Sequence, residues 1–354
     1  MNDRADRIYD SLSHDLKVIV EELPDRQHGK YIQRALGVIA RLAQDNIDTL
    51  DWKILSASLL DLERGFKVFY PYRHVRKITI FGSARVAPET PEYQMAVEFA
   101  SHVSQQGFMV MTGAGGGIMQ AGNEGAGAAN SFGLNIELPF EQGANQYIEG
   151  DPKLLNFRYF FTRKLFMLRE SDAIALFPGG FGTHDEALEC LTLCQTGRYG
   201  PVPMILINPP GGTYWQDWDA YIRKHLVEPG LVSPEDSSLY KITDNLEVAY
   251  ETINHFYRVY HSSRYIQDLC VIRLQTELCD PDVDRLNTEF KDILIKGKIE
   301  KCQTLPEEMG DETEKLPRIS LYFNQRDFGR LYQMIDTINH MESCAIAVEH
   351  PEIK

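Results

Sequence analysis

A chain of 354 residues is longer than one core usually fills, since single cores rarely grow past ~250 to 300 residues, so more than one module is expected. With 43% hydrophobic and 25% charged residues the balance is that of an ordinary folded protein, which excludes a disordered chain. A formal net charge of −15 argues against nucleic-acid polymers and anionic membranes as partners, but a small phosphorylated ligand, held by backbone N–H groups and one arginine, stays compatible.

The polar start MNDRADRIYD and the lack of any apolar run near ~18 residues argue against secretion and membrane spanning, so a cytoplasmic protein is expected. Residues 1–72 then show apolar positions at helical spacing: Leu12, Leu16 and Val20; Ile32, Leu36, Ile39 and Leu42; Ile54, Leu59, Leu62 and Phe66. Pro24 and Asp45-Asn46 separate the runs, giving a helical extension suited to packing or oligomerisation.

Between residues 73 and 262 short apolar runs alternate with longer helical stretches. Strands are expected at Ile78–Phe81, Phe108–Met111, Gly133–Leu138, Ala173–Phe177 and Met204–Ile207. Runs apolar on both faces imply a doubly wound, Rossmann-like parallel sheet of the α/β class, whose ligands bind beyond the carboxyl ends of the strands. From 263 to 354 the order changes to strand Leu269–Leu274, a helix near Val283–Leu294, strands Ile299–Leu305 and Ile319–Phe323, and a helix near Phe328–His340. This describes a small βαββα module of α+β type, suited to a regulatory role, with an exposed acidic loop over Pro306–Lys315. The six cysteines, at 190, 194, 270, 279, 302 and 344, are too scattered for a disulfide framework or zinc motif; reduced thiols and no metal are expected.

Three glycine-bearing turns follow expected strands: Gly82-Ser83 after the first, Gly113-Ala114-Gly115-Gly116-Gly117 after the second, and Pro178-Gly179-Gly180-Phe181-Gly182-Thr183 after the fourth. Glycine lets backbone N–H groups approach an anion, and the helix that follows adds the positive end of its dipole. Three such turns on one sheet favour a phosphate site. A dinucleotide fingerprint fits less well, because Ile118 stands where its last glycine belongs, and no G-K-[ST] supports a P-loop. Thr183 and Glu186 have capping-box spacing, which gives Glu186 a structural role if nothing else acts on it, and His184 beside them is expected to face solvent.

The set Arg163-Lys164, Met167 and Pro178-Gly179-Gly180-Phe181-Gly182-Thr183-His184-Asp185-Glu186, with Gly115-Gly116-Gly117-Ile118-Met119, resembles the paired signature of the Lonely Guy family, long misnamed lysine decarboxylase. The resemblance spans roughly residues 76 to 230. It implies hydrolysis of a nucleoside 5′-monophosphate to free base and ribose 5-phosphate, with water as co-substrate, no cofactor, and a homodimer or higher homo-oligomer. By position, it makes Arg163 and Glu186 the catalytic pair. Gly82, Ser83, Gly115, Gly116, Gly117, Glu141, Lys164, Gly179, Gly180, Phe181, Gly182, Thr183, Asp185 and Thr192 become substrate-binding residues. Asp185, His184 and Phe160-Phe161 depart from common family residues, which leaves the preferred base open. A non-catalytic nucleotide sensor is the alternative. Lysine decarboxylation would need a pyridoxal phosphate lysine, and Lys164 fits a phosphate-side cation better.

Overall fold

The computed structural model describes residues 13–26, 28–137, 143–310 and 312–341. The chain divides into two compact units, Met1–Leu60 and Asp61–Lys354. In the first, helices run over 13–22 (α1), Gly29–Gln44 (α2) and the opening turns of Thr49–Phe69 (α3), as the apolar spacing predicts. Their stripes stay open: Val20, Val38, Ile39, Ile54 and Leu59 are exposed.

The second unit is built on a seven-stranded sheet in which every pairing is parallel. Its strands are β1 (Lys77–Phe81), β2 (Met109–Thr112), β3 (Ser131–Ile136), β4 (Leu154–Phe157), β5 (Ala173–Leu176), β6 (Met204–Ile207) and β7 (Lys241–Thr243). They are ordered β4-β3-β2-β1-β5-β6-β7, so the winding reverses between β1 and β5. At such a switch the flanking loops part and leave a crevice at the carboxyl ends of the strands. Helices α4 (Pro91–Gln105), α5 (Ile118–Ala126) and α9 (Leu246–Phe256) cover one face, with Phe99, Ile118 and Ile253 meeting Ile78, Ile80, Val110 and Ile205. The other face carries α6 (Phe160–Arg169), α7 (Phe181–Gln195) and α8 (Tyr214–Ile222), where Phe166, Cys190 and Trp215 pack on Met111, Ile174 and Leu206.

Five expected strands are present within two residues of their ends, but β4 and β7 were not expected. Both are edge strands, short and partly exposed, with Asn156 and Lys241 facing solvent, so neither presents a continuous apolar run.

The C-terminal module is an antiparallel sheet ordered β10-β11-β9-β8, made by β8 (Tyr260–Ile266), β9 (Leu269–Leu274), β10 (Leu294–Lys301) and β11 (Arg318–Phe323), with helices α10 (Asp280–Glu289) and α11 (Phe328–His340). The order is ββαββα, not βαββα: β8, the polar edge strand Tyr-His-Ser-Ser-Arg-Tyr-Ile, was missing from the expectation. The helix ends at Glu289, and β10 starts five residues before the expected Ile299.

The acidic loop is not wholly exposed. Glu308 is fully buried and receives Arg273 Nε and Nη2 on Oε1 at 2.9 and 2.7 Å, with Arg318 Nε 3.5 Å from Oε2. Two buried guanidinium groups on neighbouring strands require a buried anion, and this overrides the solvation that acidic composition suggests. Cys190, Cys194, Cys270 and Cys302 carry free thiols. Among the described residues, no helix is long and apolar enough to cross a membrane.

Candidate active site

The three glycine turns meet at the β1/β5 switch and are stitched through Ser83. The Ser83 N–H donates to Pro178 O at 3.1 Å, and the Ile118 N–H donates to Ser83 O at 3.0 Å. The backbone of Ser83 is therefore committed to joining the turns, and its hydroxyl oxygen accepts from the Arg85 N–H at 3.1 Å. Gly117 has φ +60°, and a Cβ there would stand 2.2 Å from Ser83 O, so a side chain at 117 would separate the second turn from the first.

The second turn is pinned from below by residues that sequence motifs did not flag. Asn145 is buried; its amide donates to Ala114 O and Gly115 O, each at 3.1 Å, and to Asn123 Oδ1 at 2.9 Å. Thr112 Oγ1 donates to the same Asn123 oxygen at 2.7 Å and accepts from the Ala114 N–H at 3.0 Å. A lone asparagine in a polar loop carries no sequence signature of such a role.

The third turn opens α7 at Phe181 with Gly180 as N-cap and no side-chain cap. Thr183 is thus inside the first turn and Glu186 in the next, so the capping box is not formed and Glu186 is released from that role. The helix's first N–H groups point toward the crevice end of the sheet without a capping side chain, which is the usual arrangement of an anion site. From α8, Tyr214 donates its hydroxyl to Gly179 O at 2.6 Å and meets His184 Nε2 at 2.7 Å. His184 is accordingly half-buried against Tyr214 and Trp215 and does not face solvent as expected.

Gly179 and Gly180 behave differently. A Cβ on Gly179 would lie 2.0 Å from Thr183 Oγ1 and 2.9 Å from Ser83 N, whereas one on Gly180 meets nothing within 4 Å. Gly179→Ala should lower the unfolding free energy by about 1–3 kcal/mol, as overpacking does. Gly180→Ala should stay within about 0.5 kcal/mol of the parent. Urea denaturation of the two variants side by side checks this; equal stabilities would mean the third turn is not built as described.

Arg163 and Glu186 flank β5, the fifth strand in chain order and not the fourth, because β4 precedes it. Arg163 Nη2 donates to Glu186 Oε1 at 3.2 Å, and Nη1 lies 3.3 Å from where a Gly113 Cβ would be, placing the guanidinium against the second glycine turn. The α6 end that presents Arg163 is anchored by Asp61, a buried carboxylate that accepts from the Arg158 N–H at 3.0 Å and the Thr162 hydroxyl at 2.7 Å. Asp61 sits about one hundred residues away in sequence, within an apolar helical run, and gave no signal of this contact.

Glu186 has only 5% of its side chain exposed. Burial pushes its carboxyl above the ordinary glutamate value, while Lys164 and then Arg163 pull it down. Its Oε2 is buried and accepts no hydrogen bond among the described residues; Lys164 Nζ stands 3.8 Å away. One oxygen is thus held by Arg163, and the other has no hydrogen-bond partner among the described residues.

Lys164 is engaged elsewhere, at 2.7 Å from Asp185 Oδ2 and 2.6 Å from Glu189 Oε2. Burial lowers its ammonium, but the hydrogen bonds to Asp185 and Glu189 outweigh this and hold it above the ordinary lysine value. Lys164 and Asp185 therefore tie α6 to α7 beside the site. Gly115 and Gly116 lie in the second turn, and Gly182 in the first turn of α7 with an open Cβ position. The Phe181 side chain is 96% exposed, so only its backbone faces the turn. Thr192 does not join this group: it is exposed, bonds back to Leu188 O at 2.8 Å, and lies about 9 Å along α7 from Glu186. Glu141 falls outside the described residues.

Residues 111–253 match a family model described as possible lysine decarboxylase. Over 72 residues the chain is 44% identical to a probable cytokinin riboside 5′-monophosphate phosphoribohydrolase of Oryza sativa subsp. japonica, covering 20% of this chain and 28% of that protein. It is 40% identical over the same length to a cytokinin riboside 5′-monophosphate phosphoribohydrolase of Arabidopsis thaliana, covering 20% and 32%. The matched stretch is less than a third of either relative's length. Among solved structures, the molybdenum cofactor binding protein of Rippkaea orientalis shares 18% identity at a TM-score of 0.37, over 51% of this chain and 96% of that one. The family-model match and the two sequence relatives bear out, for the central part of the chain, the resemblance to the Lonely Guy family drawn from Arg163-Lys164 and Pro178–Glu186.

Proposed function

We propose that the protein hydrolyses the N-glycosidic bond of nucleoside 5′-monophosphates, giving free base and ribose 5-phosphate. The observation that carries this reading is the buried Glu186 carboxylate beside an anion-suited turn, with Oε1 held by Arg163 and Oε2 without a hydrogen-bond partner among the described residues. The 5′-phosphate rests on the N–H groups of Gly180 to Thr183, which places the ribose toward Glu186. As the C1′–N bond breaks, its electron pair leaves with the base and positive charge develops on the ribose, which a nearby carboxylate stabilises. Water adds its oxygen to C1′ and keeps one proton there; Glu186 takes the other and passes it on to the departing base, which restores the carboxylate. Arg163 holds Glu186 in place and favours its ionised form.

Incubating the protein with AMP, GMP, CMP and UMP and separating free base by chromatography tests the reading. Release from at least one nucleotide is expected; tight binding without release from any would leave a nucleotide sensor instead.

A pH profile adds a second check. The reaction needs ionised Glu186, so the rate falls as pH drops through its raised pKa. Lys164 is the foremost charge lowering that pKa, and Lys164→Met should move the acid limb to higher pH. An unmoved limb would mean that another group governs the rate.

Self-association belongs to the same reading. Phe160, Phe161 and Leu165 on α6 and Phe181 and Leu188 on α7 are exposed beside the site, and open apolar stripes run along the helices of Met1–Leu60. We assign these surfaces to contact between copies of the chain, because a monomer seldom leaves such area uncovered.

A further inference from the structure

Away from the glycine turns, two imidazoles and a carboxylate converge where the C-terminal module packs on the parallel-sheet domain. His255 lies in the last turn of α9; Asp336 and His340 are four residues apart on α11 and share one face. His255 Nε2 is 3.2 Å from Asp336 Oδ1, and His340 Nδ1 is 3.5 Å from Asp336 Oδ2. The two rings are 4.2 Å apart, and one ligand atom from each residue lies within 4.8 Å of the others. Ligands at ~2.0–2.2 Å around a tetrahedral ion stand ~3.3–3.6 Å apart, so the three side chains need only small rotations to share one.

The chemistry of the set is selective. Two imidazoles with one carboxylate suit zinc, nickel or cobalt, whereas magnesium and calcium prefer all-oxygen shells. His340 Nδ1 also lies 2.8 Å from the Asp336 backbone O, which holds the ring against its own helix. His255 and Asp336 also line a cleft of about 980 Å³ between α9 and α11, which gives solvent a path to the cluster.

We propose that His255, Asp336 and His340 bind a divalent ion of the zinc class, leaving at least one coordination position to water, and that the ion ties α11 to α9. This does not depend on the nucleotide reading. The histidines are separated by 84 residues in the chain, which is why no metal motif is visible in the sequence.

The test uses the full chain, freed of metal by a chelator and titrated calorimetrically with zinc chloride and, separately, magnesium chloride. One zinc per chain is expected, with no magnesium uptake. His255→Ala and His340→Ala should each weaken zinc at least tenfold. Thermal unfolding supplies a second readout: zinc should raise the Tm of the parent and not that of the double variant. No zinc uptake by the parent, or equal uptake and equal Tm shift in the double variant, overturns the proposal. The second result would move the binding to other groups, such as the free thiols.

Discussion

Glu186→Gln should reduce base release from nucleoside monophosphates by about 10³-fold in kcat/KM, equivalent to about 4 kcal/mol of transition-state stabilisation, within the range for loss of a positioned acid-base group. Glutamine keeps the size of the side chain and an oxygen for Arg163 Nη2, but it offers no charge to the ribose and cannot take a proton from water. The same substitution should not weaken the fold. Because burial raises the Glu186 pKa, the folded protein holds this proton more tightly than the unfolded chain. The resulting stability is present below the unfolded pKa and is lost as pH rises through the folded one. Where the carboxylate is ionised it is therefore a cost that the glutamine removes. Denaturation at pH 7 and product assays on the same sample should show a protein at least as stable as the parent but nearly inactive. A variant that releases base at the parental rate would remove Glu186 from the chemistry.

The largest effect on stability is expected at Glu308. Glu308→Leu removes the buried Glu308 carboxylate from the Arg273 and Arg318 guanidinium groups, and breaking a buried pair in this way costs about 3–5 kcal/mol. Arg318 keeps acceptors in Thr304 Oγ1 and the carbonyl oxygens of Glu314 and Thr313. Combining Arg273→Met with Glu308→Leu should then recover part of the loss, a non-additivity that a double-mutant cycle measures directly. If the two changes simply add, the triad is not the electrostatic unit described. The prediction also separates fold from site: below its melting temperature the Glu308 variant should hydrolyse nucleotide normally, since no residue of the triad lies among the glycine turns.

Arg163, Glu186 and the third glycine turn were legible because their significance depends on local order: a glycine turn, a helix start and charged residues at set spacings. What each does was not legible in full. Ser83 gives its N–H to Pro178, Lys164 is bound by α7 carboxylates, and Thr192 points to solvent. Those outcomes depend on which helices become neighbours. Asn145 and Asp61 were invisible for the same reason, since each acts on a turn or helix end that folding brings to it.

The division between sequence and structure is clearest in the strands. β1, β2, β5 and β6, and β9 and β11 of the second sheet, are apolar because both faces or a whole side are buried, and that requirement is written residue by residue. The missed or shifted strands, β4, β7, β8 and β10, are the four sheet edges. An edge strand has one hydrogen-bonding side open and part of its surface wet, so its residues need not be apolar, and only the neighbouring strand makes it a strand. By itself, therefore, the amino-acid sequence determined the buried parallel core and the glycine turns at its end. The tertiary structure decided the edges, the anchors beneath the site, the burial of Glu308 and the meeting of His255 with His340, because each depends on contacts between distant segments that no local pattern encodes.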